Sequence, residues 1–157
     1  MNKSCFFIGD KKIKHYDGIF YRLNYILISL IDEGVTNFYA GGGLGWDMIC
    51  ENTVIKLRRE FTHIKLRLIL PCEPCEQSKH WHIDRQLEYN RVYDLADSVE
   101  VISQKYSEYS VKKRNARLAE LGDVCVCYWD GSTKGHTYQA IKLARKNSAE
   151  IINFYGR

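Results

Sequence analysis

Short unbroken apolar runs alternate along this chain with longer segments whose apolar residues recur every three or four positions. Residues 4–8, Ser-Cys-Phe-Phe-Ile, form the first run and stop at Gly9. Such a run predicts a strand covered on both faces. From 16 to 33, Ile19, Phe20, Leu23, Leu27, Leu30 and Ile31 share one helical face, and Gly34 is placed to end the helix. Residues 35–40 are β-branched and aromatic and stop at the glycines from 41 to 45. Trp46, Ile49, Cys50, Val54, Leu57 and Phe61 then mark a second helix face. Residues 64–70 predict a strand ended by Pro71, and 80–96 a polar-faced helix resting on Trp81, Leu87, Val92 and Leu95. The pattern closes with strands at 98–102, 124–129 and 149–154 and helices at 111–121 and 137–146.

Strand and helix therefore alternate throughout, which predicts an α/β fold: a mostly parallel sheet with helices on both faces. With right-handed crossovers the economical topology is doubly wound and Rossmann-like. No linker, repeat or low-complexity stretch interrupts it, and 157 residues match about 150 per domain, so 1–157 is expected to be a single domain.

Composition narrows the classes. Apolar residues make up 45% of the chain and net charge is only +4, which excludes a disordered chain. No run of 18 apolar residues is present to cross a membrane, and the apolar part of the N-terminus is too short for a signal peptide. A cytoplasmic location is the expectation. The six cysteines are then expected as free thiols. Cys72, Cys75, His80 and His82 carry zinc-ligand chemistry, but C-x2-C…H-x-H is not a structural zinc spacing, and no metal is expected. The 19 acidic and 23 basic residues are interspersed, and the only dense basic cluster is Lys112, Lys113 and Arg114 with Arg117 nearby. That balance favours a small anionic ligand and sets nucleic acid aside as a partner, since nucleic-acid modules carry a clustered excess with interleaved aromatics.

Ligands of doubly wound sheets bind outside the C-terminal strand ends. Those ends carry Gly9 and Asp10; Gly41, Gly42, Gly43, Gly45 and Asp47; Pro71; and Gly131 with Gly135, His136 and Thr137. Glycines let backbone approach an anion, and the following helix offers unpaired N–H groups, so phosphate or ribose is the natural guest of two such turns. The turn at 41–45 follows the second strand and is no dinucleotide fingerprint, and 131–137 is no Walker A loop. No cofactor is expected. Asp47, at a helix start, either complements the dipole or accepts hydrogen bonds from ribose. Arg114, beside Asn115, is either a solvated charge or a bidentate phosphate contact. These two are the candidates for any catalytic role.

The run from Phe38 to Asp47 resembles the second-strand turn of the SLOG superfamily, which groups Smf/DprA DNA-processing proteins with LOG phosphoribohydrolases. Leu70-Pro71-Cys72 with Gln77 and Trp81, then Lys113-Arg114-Asn115, then Gly131 to Thr137 resemble its YpsA-like DUF1273 branch, in the same order. The resemblance implies a Rossmann-like domain that binds a nucleotide or a nucleotide-derived molecule, and a homo-oligomer. In LOG enzymes an Arg and a Glu serve hydrolysis of the N-glycosidic bond. Arg114 matches the Arg, whereas Ala140 stands at the Glu position, and Asp10-Lys11 stands where relatives tend to have His-Arg. Glycoside cleavage needs a placed carboxylate. Capture or sensing of a nucleotide derivative is thus the first expectation, and a phosphoribohydrolase acting on nucleoside monophosphates or NAD-like nucleotides the second.

Overall fold

The computed structural model describes residues 2–14 and 16–156. Its strands are β1 (Lys3–Gly9), β2 (Val35–Ala40), β3 (Lys65–Leu70), β4 (Ser98–Val101), β5 (Val124–Tyr128) and β6 (Glu150–Asn153). Between them run α1 (Ile19–Asp32), α2 (Trp46–Leu57), α3 (Pro74–Ser78), α4 (Ile83–Leu95), α5 (Glu108–Leu121) and α6 (His136–Lys146). All pairings are parallel, and the order is β4-β3-β2-β1-β5-β6. The fold is α/β and Rossmann-like.

Side chains alternate across the sheet, so one run of apolar residues feeds two cores. Cys5 and Phe7 of β1 join Phe38, Leu66, Leu68, Val124 and Val126 beneath α1, α2 and α4. Phe6 and Ile8 face the other way and join Ile69, Cys125 and Cys127 beneath α5 and α6. Ala119, Ala140 and Ala144 lie in that second core, where small side chains bring the two helices close to the strands.

Local chemistry sets the helix starts more tightly than apolar spacing does. Gly18, at φ 71°, holds a left-handed conformation and delays α1 to Ile19. The His82 ring accepts from the Asp84 N–H at 3.3 Å and starts α4 at Ile83. Ser107 and Ser110 cap each other reciprocally, each hydroxyl accepting the other's backbone N–H at 3.0 Å, so α5 begins at Glu108. The five-residue α3, with Pro74 in its first turn, is too short to leave an apolar period.

After β1 the chain steps outward to β2, β3 and β4. Helix α5 then carries it back across the sheet to β5, on the opposite side of β1. The strand order reverses at β1, and a crevice opens above its C-terminal end. Trp46 braces that end: its fully buried indole donates to the Val126 carbonyl at 3.2 Å, and its ring lies 5.6 Å from Tyr128 and 5.3 Å from Phe154. Burying a ring of this size is worth about 3 kcal/mol. No described helix is long and apolar enough to cross a membrane.

Candidate functional site

A cavity of about 590 Å³ occupies this crevice, within the range that suits a small ligand. Its wall draws on the segments after all of β1 to β5: Gly9, Asp10 and Lys11; Gly43, Leu44 and Asp47; Glu76, Gln77, Lys79, His80 and Trp81; Tyr106 with Arg114 and Asn115 of α5; His136 and Thr137.

The β1 and β2 turns touch. A methyl group at Gly9 would overlap the Trp46 ring, and one at Gly45 would overlap the Lys11 carbonyl. The Trp46 N–H donates to the Asp10 carbonyl at 3.2 Å and ties the start of α2 to β1. Glycine is required at both positions by close approach of backbone and ring.

Behind the wall lies a buried charge cluster. Asp47 and Glu51 stand one turn apart on α2 and point at the glycine turn. The Gly43 N–H donates to Asp47 Oδ2 at 3.0 Å and the Gly42 N–H to Glu51 Oε2 at 3.1 Å. Arg114 answers from α5: its Nε donates to Asn115 Oδ1 at 2.8 Å and its Nη1 to the Gly41 carbonyl. Burial pushes the Asp47 carboxyl up, while Arg114 and the Gly43 N–H pull it back. Burial and the neighbouring Asp47 drive Glu51 well above the usual carboxylate range, against the Gly42 N–H and Arg114. The Arg114 charge therefore acts on both acids and opposes the desolvation of each. Burial lowers Arg114 from its usual value, and Asp47 and Glu51 oppose that.

Gln77 completes the frame. Its amide donates to the Gly42 carbonyl at 3.2 Å and accepts the Tyr89 hydroxyl at 3.1 Å. At the other end of the cavity, Thr137 in the first turn of α6 donates to Asp10 Oδ1 at 3.2 Å. Burial raises the Asp10 carboxyl, and Thr137 counters it. The neighbouring His136 Nδ1 is buried without a hydrogen-bond partner among the described residues.

Of the residues singled out in the sequence, Gly9, Asp10, Gly43, Asp47, Arg114, Asn115, His136 and Thr137 meet on one wall. Gly41, Gly42, Gly45, Pro71 and Gly135 do not line it. Gly41 packs under the Arg114 guanidinium, Gly42 spends its N–H on Glu51, Gly45 faces Lys11, and Pro71 is buried where β3 ends. Gly135 is exposed at the start of α6. The turn after β2 is consequently no open anion nest, because its two inward N–H groups already serve carboxylates. Glu51, Tyr89, Gln77, Trp81 and Tyr106 were not among the anticipated site residues. The four-residue spacing of Asp47 and Glu51 was the one available signal for Glu51. Ala140 is fully buried in the second core and does not line the cavity. Among the described residues no group of three His, Cys, Asp or Glu is placed to hold a metal.

Fold and cavity together define a Rossmann-like α/β protein with a cavity at the topological switch point. A family model described as the YspA SLOG family matches residues 5–154, and the chain belongs to that family. It is 26% identical over 126 residues to a UPF0398 protein of Halalkalibacterium halodurans, across 79% of this chain and 66% of that relative. It is 29% identical over 137 residues to the SPbeta prophage-derived protein YoqJ of Bacillus subtilis, across 76% of this chain and 78% of YoqJ. Among solved structures it superposes on DNA processing protein A from Helicobacter pylori with a TM-score of 0.70 at 16% identity. That match covers 99% of this chain and 66% of the other, a protein described for its single-stranded DNA binding mode.

The last comparison corrects one expectation. Charge balance had set nucleic acid aside as a partner, yet a protein of this same fold binds single-stranded DNA. Net charge is an average over the surface, whereas binding responds to the local field. Here the fold brings Lys11 and Tyr106 from distant parts of the sequence to the cavity wall beside the consecutive Lys79, His80 and Trp81.

Proposed function

We propose that the cavity captures a nucleotide-derived anion, with the anionic group at Arg114, and that the protein holds this ligand without cleaving it. One observation carries the reading. Arg114 is oriented by Asn115 and Gly41 through Nε and Nη1, it lines the cavity, and its Nη2 has no protein acceptor among the described residues. A guanidinium fixed on one side and free on the other is suited to a charge-assisted hydrogen bond to phosphate. The carboxyl arrangement supports binding over hydrolysis. Asp47 accepts from the Gly43 N–H, Glu51 from the Gly42 N–H and Asp10 from the Thr137 hydroxyl, and Ala140 offers no acid.

A second reading has its own support: the captured group is the terminal nucleotide of a single strand. The superposition on DNA processing protein A and the rim that sets Lys79 beside Trp81 and Tyr106 favour it. Strand binding of that kind combines stacking with a salt-dependent charge term.

The test is calorimetry of adenosine 5′-monophosphate, inorganic pyrophosphate and a short single-stranded DNA against the wild type and Arg114→Lys, with chromatography for released adenine. The expected result is binding that weakens about tenfold in the Lys variant, scaled to its folded fraction, with no adenine released. Sustained adenine release would replace capture with phosphoribohydrolase activity. Equal binding by both proteins would remove Arg114 from the site.

A further inference from the structure

We infer that Asp10 and Thr137 form a hydroxyl-reading end of the cavity, selective for the cis-diol of a ribose whose phosphate lies towards Arg114. The inference rests on the nucleotide reading above and adds the direction in which the nucleotide is held and the sugar it requires.

Asp10 is fixed by backbone on two sides: its N–H donates to the Tyr128 carbonyl at 3.3 Å, and its carbonyl accepts the Trp46 N–H at 3.2 Å. One side-chain oxygen, Oδ1, accepts from Thr137 at 3.2 Å, while Oδ2 has no protein donor among the described residues. The residue lines the cavity, so this second oxygen is the acceptor still to be satisfied.

The first turn of α6 would ordinarily welcome a phosphate through its N–H groups and dipole. Here the chain's own carboxylate already stands against that turn. Asp130 adds negative charge on the same side, with Lys14 as the opposing cation. A phosphate placed there would meet a fixed like charge, and two acceptor-only groups cannot hydrogen-bond each other. A hydroxyl can. A vicinal diol supplies two donors to one carboxylate, the use that nucleotide-binding α/β folds make of an acidic residue on ribose. Across the cavity the free nitrogen is cationic, so the site is polarised: acceptor at Asp10, donor at Arg114. A ribonucleotide satisfies both ends in one orientation. The diol belongs either to a free nucleotide or to the 3′ end of an RNA strand.

Calorimetry with adenosine 5′-monophosphate, its 2′-deoxy analogue and inorganic pyrophosphate tests this on the wild type, Asp10→Asn and Thr137→Val. The wild type is expected to bind the ribonucleotide about 10- to 100-fold tighter than the deoxynucleotide, the range for a hydrogen bond to a charged group. Asp10→Asn should erase that preference and tighten pyrophosphate, because the like charge is gone. Thr137→Val keeps the charge but frees the side chain, and should lower the preference partway. A tetraribonucleotide with a 3′-hydroxyl, compared with the same strand ending in 3′-phosphate, separates the two sources. Preference for the hydroxyl end at the affinity of the mononucleotide assigns a strand terminus, and binding of the mononucleotide alone assigns a free nucleotide. Equal wild-type affinity for ribo- and deoxynucleotide, with both weakened by Arg114→Lys, overturns the diol end and leaves the anion site standing. Pyrophosphate loosened by Asp10→Asn also overturns it. Absence of binding by every probe overturns both readings.

Discussion

Replacing Arg114 by methionine removes the cation from a cluster whose other members stay buried. The Gly41 carbonyl and Asn115 Oδ1 each lose a donor, and Asp47 loses its counter-charge. An unsatisfied buried acceptor costs about 1–3 kcal/mol, and stranding a buried charge about 3–5 kcal/mol. These costs overlap, because Asp47 can take up a proton once its cation is gone. A total of about 3–5 kcal/mol is expected, a large share of the roughly 5–15 kcal/mol that holds a domain of this kind together. Lysine keeps the charge but cannot serve Gly41 and Asn115 together, so Arg114→Lys should cost about 1–3 kcal/mol. Adding Asp47→Asn to the methionine variant should recover about 1–2 kcal/mol, since these residues share one network and are not additive. Urea unfolding followed by far-ultraviolet circular dichroism and by fluorescence of the buried Trp46 measures all three. If Arg114→Met matched the wild type within about 0.5 kcal/mol, the guanidinium would not be what stabilises the two acids, and the cluster described above would be wrong.

Glu51→Gln tests the raised Glu51 carboxyl. A carboxyl raised by burial contributes stability that is full below the ordinary glutamate value and is lost as pH rises through the raised one, so the glutamine variant should overtake the wild type increasingly from about pH 5 upward. Urea midpoints across that range check it, and a constant difference between the two proteins would contradict it. Restoring the LOG-type acid through Ala140→Glu should create no hydrolase. The side chain enters the second core between α6 and the sheet, where an unpaired carboxyl costs several kcal/mol, and thermal unfolding should drop by more than about 5 °C.

The strands were legible because each is a run of apolar residues bounded by glycine, proline or a charge, and β2 falls where its β-branched and aromatic residues lie. Helix starts were less so. Ser107 and Ser110 extend α5 three residues before Val111, the first residue its apolar spacing reveals. The wall of the site was half legible. Gly9 ends β1, Asp10 and Gly43 come just after strands and Thr137 lies in the first turn of the helix after β5, and strand ends can be read from a sequence. Glu51 could not be distinguished from a solvated helix residue, because its burial depends on Arg114 arriving from α5, more than sixty residues further along. Gly42 and Gly43 were hard to read for the same reason. Their N–H groups look available to a ligand until the acids that occupy them are placed.

The place of β5 in the sheet has a consequence for how the protein comes into being. Cys5 of β1 pairs with Val124 of β5, whereas β2, β3 and β4 each pair with a strand made just before them. During synthesis at about 5–20 residues per second, β1 to β4 can assemble while the outer edge of β1, with Phe6 and Phe7, waits for its last neighbour. An open apolar edge invites pairing with other chains, and closing so long a loop is slow. Trp46 has no Val126 carbonyl to grip, and Asp10 no Thr137, until that pairing is made. The cavity is thus absent from any half-assembled sheet. A molecule that binds there prolongs the life of the finished protein by mass action without hastening the step that finishes it.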